Sequence, residues 1–134
     1  MDIMCVMNAV EHGIDEKLAL RIATNFGGGA RKGEMCGAVS GALMVLGLLY
    51  GHSESDDTQT KARAYAMAED YMNRFIARNG SAVCRELLGY DLSKPDEREK
   101  IMEKNLFRTF CPEMIRNAVS ILDELLEDYR KING

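Results

Sequence analysis

The sequence has no tryptophan, four phenylalanines, five tyrosines and two prolines, and its formal net charge is −4. Proteins that bind nucleic acid show a basic patch and often aromatic residues on which bases stack. The sequence has no basic stripe and its aromatic residues are sparse, so we expect no nucleic-acid partner. The scarcity of proline and the nine methionines favour helices, because unbranched side chains lose little rotamer freedom in a helix.

The chain also lacks a long hydrophobic run. Its longest apolar stretch, residues 42–50, is interrupted by Gly47 and is shorter than the roughly 20 residues that a spanning helix needs. Residues 1–13 have neither the basic start nor the continuous apolar segment of a secretory signal. We therefore expect a cytoplasmic protein with no membrane partner, whose thiols are kept reduced.

Apolar residues recur at helical spacing along most of the chain. The pattern predicts helices over residues 2–11, 16–25, 34–50, 59–79, 82–88, 96–106 and 112–129. The helix over 34–50 is apolar nearly all round, which is typical of a helix in the middle of a fold. These elements predict one all-α domain, residues 1–134, in which six or seven helices form a bundle around an apolar central helix.

Local signals mark several ends of these helices. Asp15, and either Asp57 or Thr58, are suited to helix N-caps, and Gly80 is the residue expected just past a helix end. The glycine-rich segment 27–33 predicts a loop, because consecutive glycines destabilise a helix interior. In this loop, Arg31 and Lys32 would face any anionic partner.

The sequence also lacks the local cysteine motifs of zinc and thioredoxin-like sites. No C-x-x-C occurs among Cys5, Cys36, Cys84 and Cys111, and such wide spacing favours buried structural cysteines. The last three, however, lie at predicted helix starts, where free N–H groups and the helix dipole favour the thiolate. The thiolate is the form that binds metals and takes part in redox chemistry.

A strip of small residues follows Cys36. Gly37 and Gly41 lie four residues apart, on one face of the predicted helix together with Ser40. Residues this small let another helix or a cofactor approach closely, so we assign Gly37 and Gly41 a predicted cofactor-binding role.

The residues around the cysteines form a pattern that extends over nearly the whole chain. The segments are F-G-G-G-A-R-K-G-E-M-C-G-A-V-S-G from Phe26, C-V-M-N-A-V from Cys5, G-S-A-V-C-R-E-L-L-G-Y-D-L-S from Gly80, and C-P-E from Cys111. Together they resemble the C_GCAxxG_C_C family, which is described as redox-active. Around Cys36 the order is C-G-A-x-x-G and not the G-C-A-x-x-G of the family name.

The resemblance implies a metal centre, because this family is similar to the non-haem part of split-Soret cytochromes. Its ligands would be Cys5, Cys36, Cys84 and Cys111. The expected cofactor is an iron–sulfur cluster for electron transfer, with zinc as the alternative, since both accept thiolate ligands.

Two other hypotheses stay open at this point. One is a thiol–disulfide enzyme or sensor without a metal, and the other is a helical interaction module with structural cysteines. The apolar helix over 34–50 also suggests a homodimer, while the sequence does not identify a redox partner.

Overall fold

The computed structural model describes residues 13–133, and this part of the chain is helical with no strand. The helices are α1 (Glu16–Ala23), α2 (Gly37–Tyr50), α3 (Thr58–Asn79), α4 (Cys84–Leu88), α5 (Pro95–Glu103), α6 (Leu106–Thr109) and α7 (Cys111–Asn133). The predicted all-α fold is confirmed. The predicted helix over residues 2–11, with Cys5, lies outside the described residues. In the described range, no helix combines the length and apolarity needed to cross a membrane.

Capping residues fix helix ends where the sequence predicts them. The Asp15 carboxylate accepts a hydrogen bond from the N–H of Leu18 (3.1 Å), and that of Asp57 accepts one from the N–H of Thr60 (3.1 Å). Each bond satisfies a backbone donor that has no partner within its helix. Gly80 ends α3 in the left-handed conformation, at φ +88°, which favours glycine.

Two helices begin later than predicted. The predicted starts at residues 34 and 82 are wrong, because Met35 and Val83 pair as an isolated antiparallel bridge. Backbone in such a pair is extended, so α2 begins only at Gly37 and α4 at Cys84. We call this pairing the 35/83 bridge.

The predicted helix over 96–106 is also wrong in its length. It breaks at Asn105, whose φ is +58°, because a left-handed residue cannot continue a right-handed helix. The segment therefore forms two helices, α5 and α6, instead of one. The last helix begins at Cys111, one residue before the predicted start, and extends to Asn133.

The main core forms where α2, α3 and α7 pack together. Its fully buried large side chains include Val39, Val45, Met67, Tyr71, Phe75, Ile121, Leu122 and Leu125. Helix α2 buries its first half but exposes Gly47 and Leu48 near its end. The position of α2 in the middle of the bundle therefore stays a prediction.

A second, smaller cluster joins α4 to α5. Cys84, Leu88, Leu92 and Ile101 form its buried part. Phe110 packs against both this cluster and the main core. The start of α7 is thereby held beside α4, which matters for the position of Cys111.

The buried Tyr71 hydroxyl provides a test of the α3–α7 packing. It donates a hydrogen bond to the carbonyl oxygen of Ala118 (3.1 Å), and burial raises the pKa of Tyr71, so it stays neutral. We expect Tyr71→Phe to lower the free energy of unfolding by about 1 kcal/mol, measured by urea denaturation. Tyr65→Phe is the control, since Tyr65 is 61% exposed. Equal losses in both variants would contradict this account.

Candidate functional site

The 35/83 bridge brings two cysteines together. The N–H of Cys36 donates to the carbonyl of Ala82 (2.8 Å), and the N–H of Cys84 donates to the carbonyl of Glu34. Alternate residues of extended backbone project to the same face, and diagonal neighbours across an antiparallel pair are within reach of one another. Cys36 and Cys84 therefore leave the bridge on one side, as neighbours.

The third described cysteine reaches the same place from another element. Cys111, the first residue of α7, lines a cavity of about 290 Å³ together with Cys36 and Cys84. We call this cavity the thiol pocket. No disulfide joins the three cysteines to one another. The structure thus gathers three of the four predicted ligands, and Cys5 lies outside the described residues.

The rest of the thiol pocket is mostly apolar and includes a part that sequence reasoning missed. Leu88, Met114 and Ile115 line it, and so do Phe107 and Phe110. The two phenylalanines belong to no motif: Phe107 lies in the short helix α6 and Phe110 directly follows it, and the sequence pattern did not separate this helix from α5. The pocket therefore combines thiols with an aromatic wall at the junction of the two clusters.

The two predicted glycines have different positions. Gly37 lines the thiol pocket at the start of α2. Gly41, one turn further, is among the buried residues of α2 and not among those that line the pocket. A cofactor-binding role for either glycine stays a prediction.

Burial dominates the protonation of the described thiols. Burial, followed by the neighbouring thiols of Cys36 and Cys111, raises the pKa of Cys84 to about 12, while Arg31 opposes this shift. Burial and Cys36 also raise the pKa of Cys111. The expectation that helix starts favour the thiolate is therefore wrong for these two residues. The desolvation cost of a buried thiolate is larger than the stabilisation that a helix N-terminus provides.

The loop before α2 is a run of left-handed residues. Gly28, Gly29, Ala30 and Arg31 have φ between +56° and +66°. A Cβ on Gly29 would overlap the backbone of Glu34, and one on Gly28 would lie 2.6 Å from a Leu92 methyl carbon. The predicted loop is thus tightly folded, and it places Arg31, but not Lys32, among the residues that line the thiol pocket.

Comparison with known protein families bears directly on this cysteine pattern. Residues 2–125 match the model of the family described as "Putative redox-active protein (C_GCAxxG_C_C)". The chain belongs to this family. The matched range of the C_GCAxxG_C_C family includes all four cysteines and hence the thiol pocket. Neither the curated proteins nor the solved structures give a match.

The raised pKa of Cys84 predicts how its alkylation depends on pH. Because the thiolate is the reactive form, iodoacetamide should modify Cys84 of the metal-free protein at pH 7 at least about a hundredfold more slowly than it modifies free cysteine. Since the folded pKa lies above the ordinary value, the rate should keep rising above pH 9. Mass spectrometry of each cysteine after timed quenching measures this. A rate that levels off near pH 9 would contradict the prediction.

The left-handed run predicts opposite effects of two identical substitutions. Gly29→Ala should lower the free energy of unfolding by about 1–3 kcal/mol or more, since the new methyl group has both an unfavourable φ and a backbone overlap. Gly47→Ala, in the interior of α2 with no heavy atom within 4 Å of its Cβ position, should raise it by about 0.5–1 kcal/mol. Urea denaturation of both variants tests the pair, and a stable Gly29→Ala variant would disprove the assigned conformation.

Proposed function

We propose that this member of the family is an electron-transfer module that holds an iron–sulfur cluster on Cys5, Cys36, Cys84 and Cys111. The observation that supports the proposal most is the convergence of Cys36, Cys84 and Cys111 on one pocket, although they are far apart in sequence. When bound, the cluster supplies one-electron transfer.

The thiol pocket is large enough for a cluster. Within residues 13–133, no group of three Cys, His, Asp or Glu side chains is placed to hold one metal ion. Zinc needs its thiolates about 2.3 Å from one centre. The three thiols line a cavity of about 290 Å³. This cavity has room for several atoms, as an iron–sulfur cluster requires.

The residues of the pocket have distinct roles in this proposal. The thiols must lose their protons to bind metal. Because the pKa values of Cys84 and Cys111 are raised, metal binding should release protons, and the metal affinity should rise with pH. The apolar side chains of Leu88, Phe110 and Ile115 exclude water from the site. Burial of this kind is one of the factors that set the potential of a cluster.

The second candidate is thiol–disulfide chemistry without a metal. The neighbouring positions of Cys36 and Cys84 at the 35/83 bridge favour it. The raised pKa of Cys84 counts against it, because a protonated thiol is a poor nucleophile at neutral pH. We therefore place it behind the metal centre. The electron-transfer proposal also includes a redox partner and a homodimer. Light scattering of the purified protein tests the dimer.

Anaerobic purification tests the metal centre directly. We expect a brown protein with stoichiometric iron and acid-labile sulfide, and a Ser replacement of each of the four cysteines should remove most of both. Met114→Leu is the matched control, because Met114 also brings sulfur to the pocket but a thioether is not a thiolate ligand. A protein that stays colourless and metal-free after reconstitution with iron and sulfide would overturn the proposal. Stoichiometric zinc alone would replace the cluster by the zinc alternative.

A further inference from the structure

Arg31 is the cationic side chain among the residues that line the thiol pocket. Its φ is +66°, a conformation that costs a non-glycine residue roughly 1–3 kcal/mol. One guanidinium nitrogen, Nη1, lies 3.0 Å from the position that a Cβ on Gly28 would take. The side chain therefore folds back over the loop, in space that glycine leaves open.

The guanidinium of Arg31 has no carboxylate partner within residues 13–133. Arg85, on the neighbouring helix α4, differs in this respect: it pairs with Glu34 (3.2 Å) and donates to the carbonyl of Gly33 (3.1 Å). The nearby Asp91 carboxylate is engaged by the N–H and hydroxyl of Ser93. An arginine keeps its charge at any ordinary pH, so the exposed Arg31 brings a positive charge to this part of the pocket, with no described carboxylate in an ion pair with it.

We propose that the thiol pocket is a binding site for small carboxylates and that Arg31 is the residue that determines this specificity. The proposal concerns the metal-free form of the pocket in which the metal centre was placed above, and it rests on the same three thiols. The guanidinium receives the carboxylate, since its planar donors match the two carboxylate oxygens. Phe107 and Phe110 provide an apolar wall for the rest of the molecule.

The charge of Arg31 also acts on the thiols, because it lowers the pKa of Cys84 against the larger effect of burial. Arg31 and Cys84 both line the thiol pocket, so a ligand in the pocket can lie beside both. A useful test must therefore separate attraction of an anion from a change in the amount of thiolate.

A pair of alkylating reagents makes this separation. Iodoacetate carries a carboxylate, while iodoacetamide is neutral and nearly the same size. In both reactions the thiolate sulfur displaces iodide from carbon, so a C–S bond forms, the C–I bond breaks and iodide leaves with the electron pair. The ratio of the two rates at one pH does not depend on the thiolate fraction. The protein is used reduced and metal-free, at pH 9, and each cysteine is quantified by mass spectrometry.

We expect Arg31→Gln to lower the iodoacetate-to-iodoacetamide ratio at Cys84 by about 3- to 10-fold, the effect of one unit charge at a few ångströms. Arg31→Lys should keep most of the ratio. High salt should reduce the ratio in the unmodified protein, since the Debye length falls to about 3 Å at 1 M.

Lys32→Gln is the matched control. Lys32 is in the same loop and its loss changes the net charge equally, but it is not among the residues that line the pocket. An unchanged ratio in Arg31→Gln, or an equal fall in Lys32→Gln, overturns the inference. Circular dichroism confirms that each variant is folded. Because no metal is present, failure here is distinguishable from failure of the metal centre.

Discussion

The 35/83 bridge is the constraint on which the candidate site depends. Its two backbone hydrogen bonds contribute only about 0.5–1.5 kcal/mol each, which is little for two segments so far apart in sequence. The bridge persists because the residues beside it are anchored: Ala38 and Ala82 are both buried in the main core. The packing of α2, α3 and α7 therefore positions Cys36 and Cys84, and the site depends on the whole bundle.

Burial and charge oppose one another in the thiol pocket. The apolar lining keeps Cys84 and Cys111 protonated in the metal-free protein, whereas thiolates bound to a metal would be charged. A centre ligated by four thiolates would place negative charge where desolvation is costly. Arg31 is the described lining residue whose charge would offset that of such a centre.

The sequence predicts those features that have local causes. Helical spacing predicts the all-α fold, and the caps at Asp15, Asp57 and Gly80 follow from side-chain and backbone chemistry within a few residues. The convergence of the cysteines was inferred only through resemblance to a family, since their spacing carries no such information.

The errors have long-range causes. Met35 and Val83 pair over one residue each, too short a stretch to leave the alternating pattern that predicts a strand. The protonation of Cys84 follows from burial by residues of the small cluster, including Leu88 and Leu92, which only the fold brings around it. The left-handed conformation of Ala30 and Arg31 has no counterpart in residue propensities.

In that left-handed run, replacement by glycine has different consequences at the adjacent residues Ala30 and Arg31. Glycine at position 30 would relax the backbone and remove only a solvent-exposed methyl group. Glycine at position 31 would relax the backbone equally but delete the guanidinium from the pocket. A residue with less backbone strain is thus available at both positions, but only at position 31 would it change the lining of the thiol pocket.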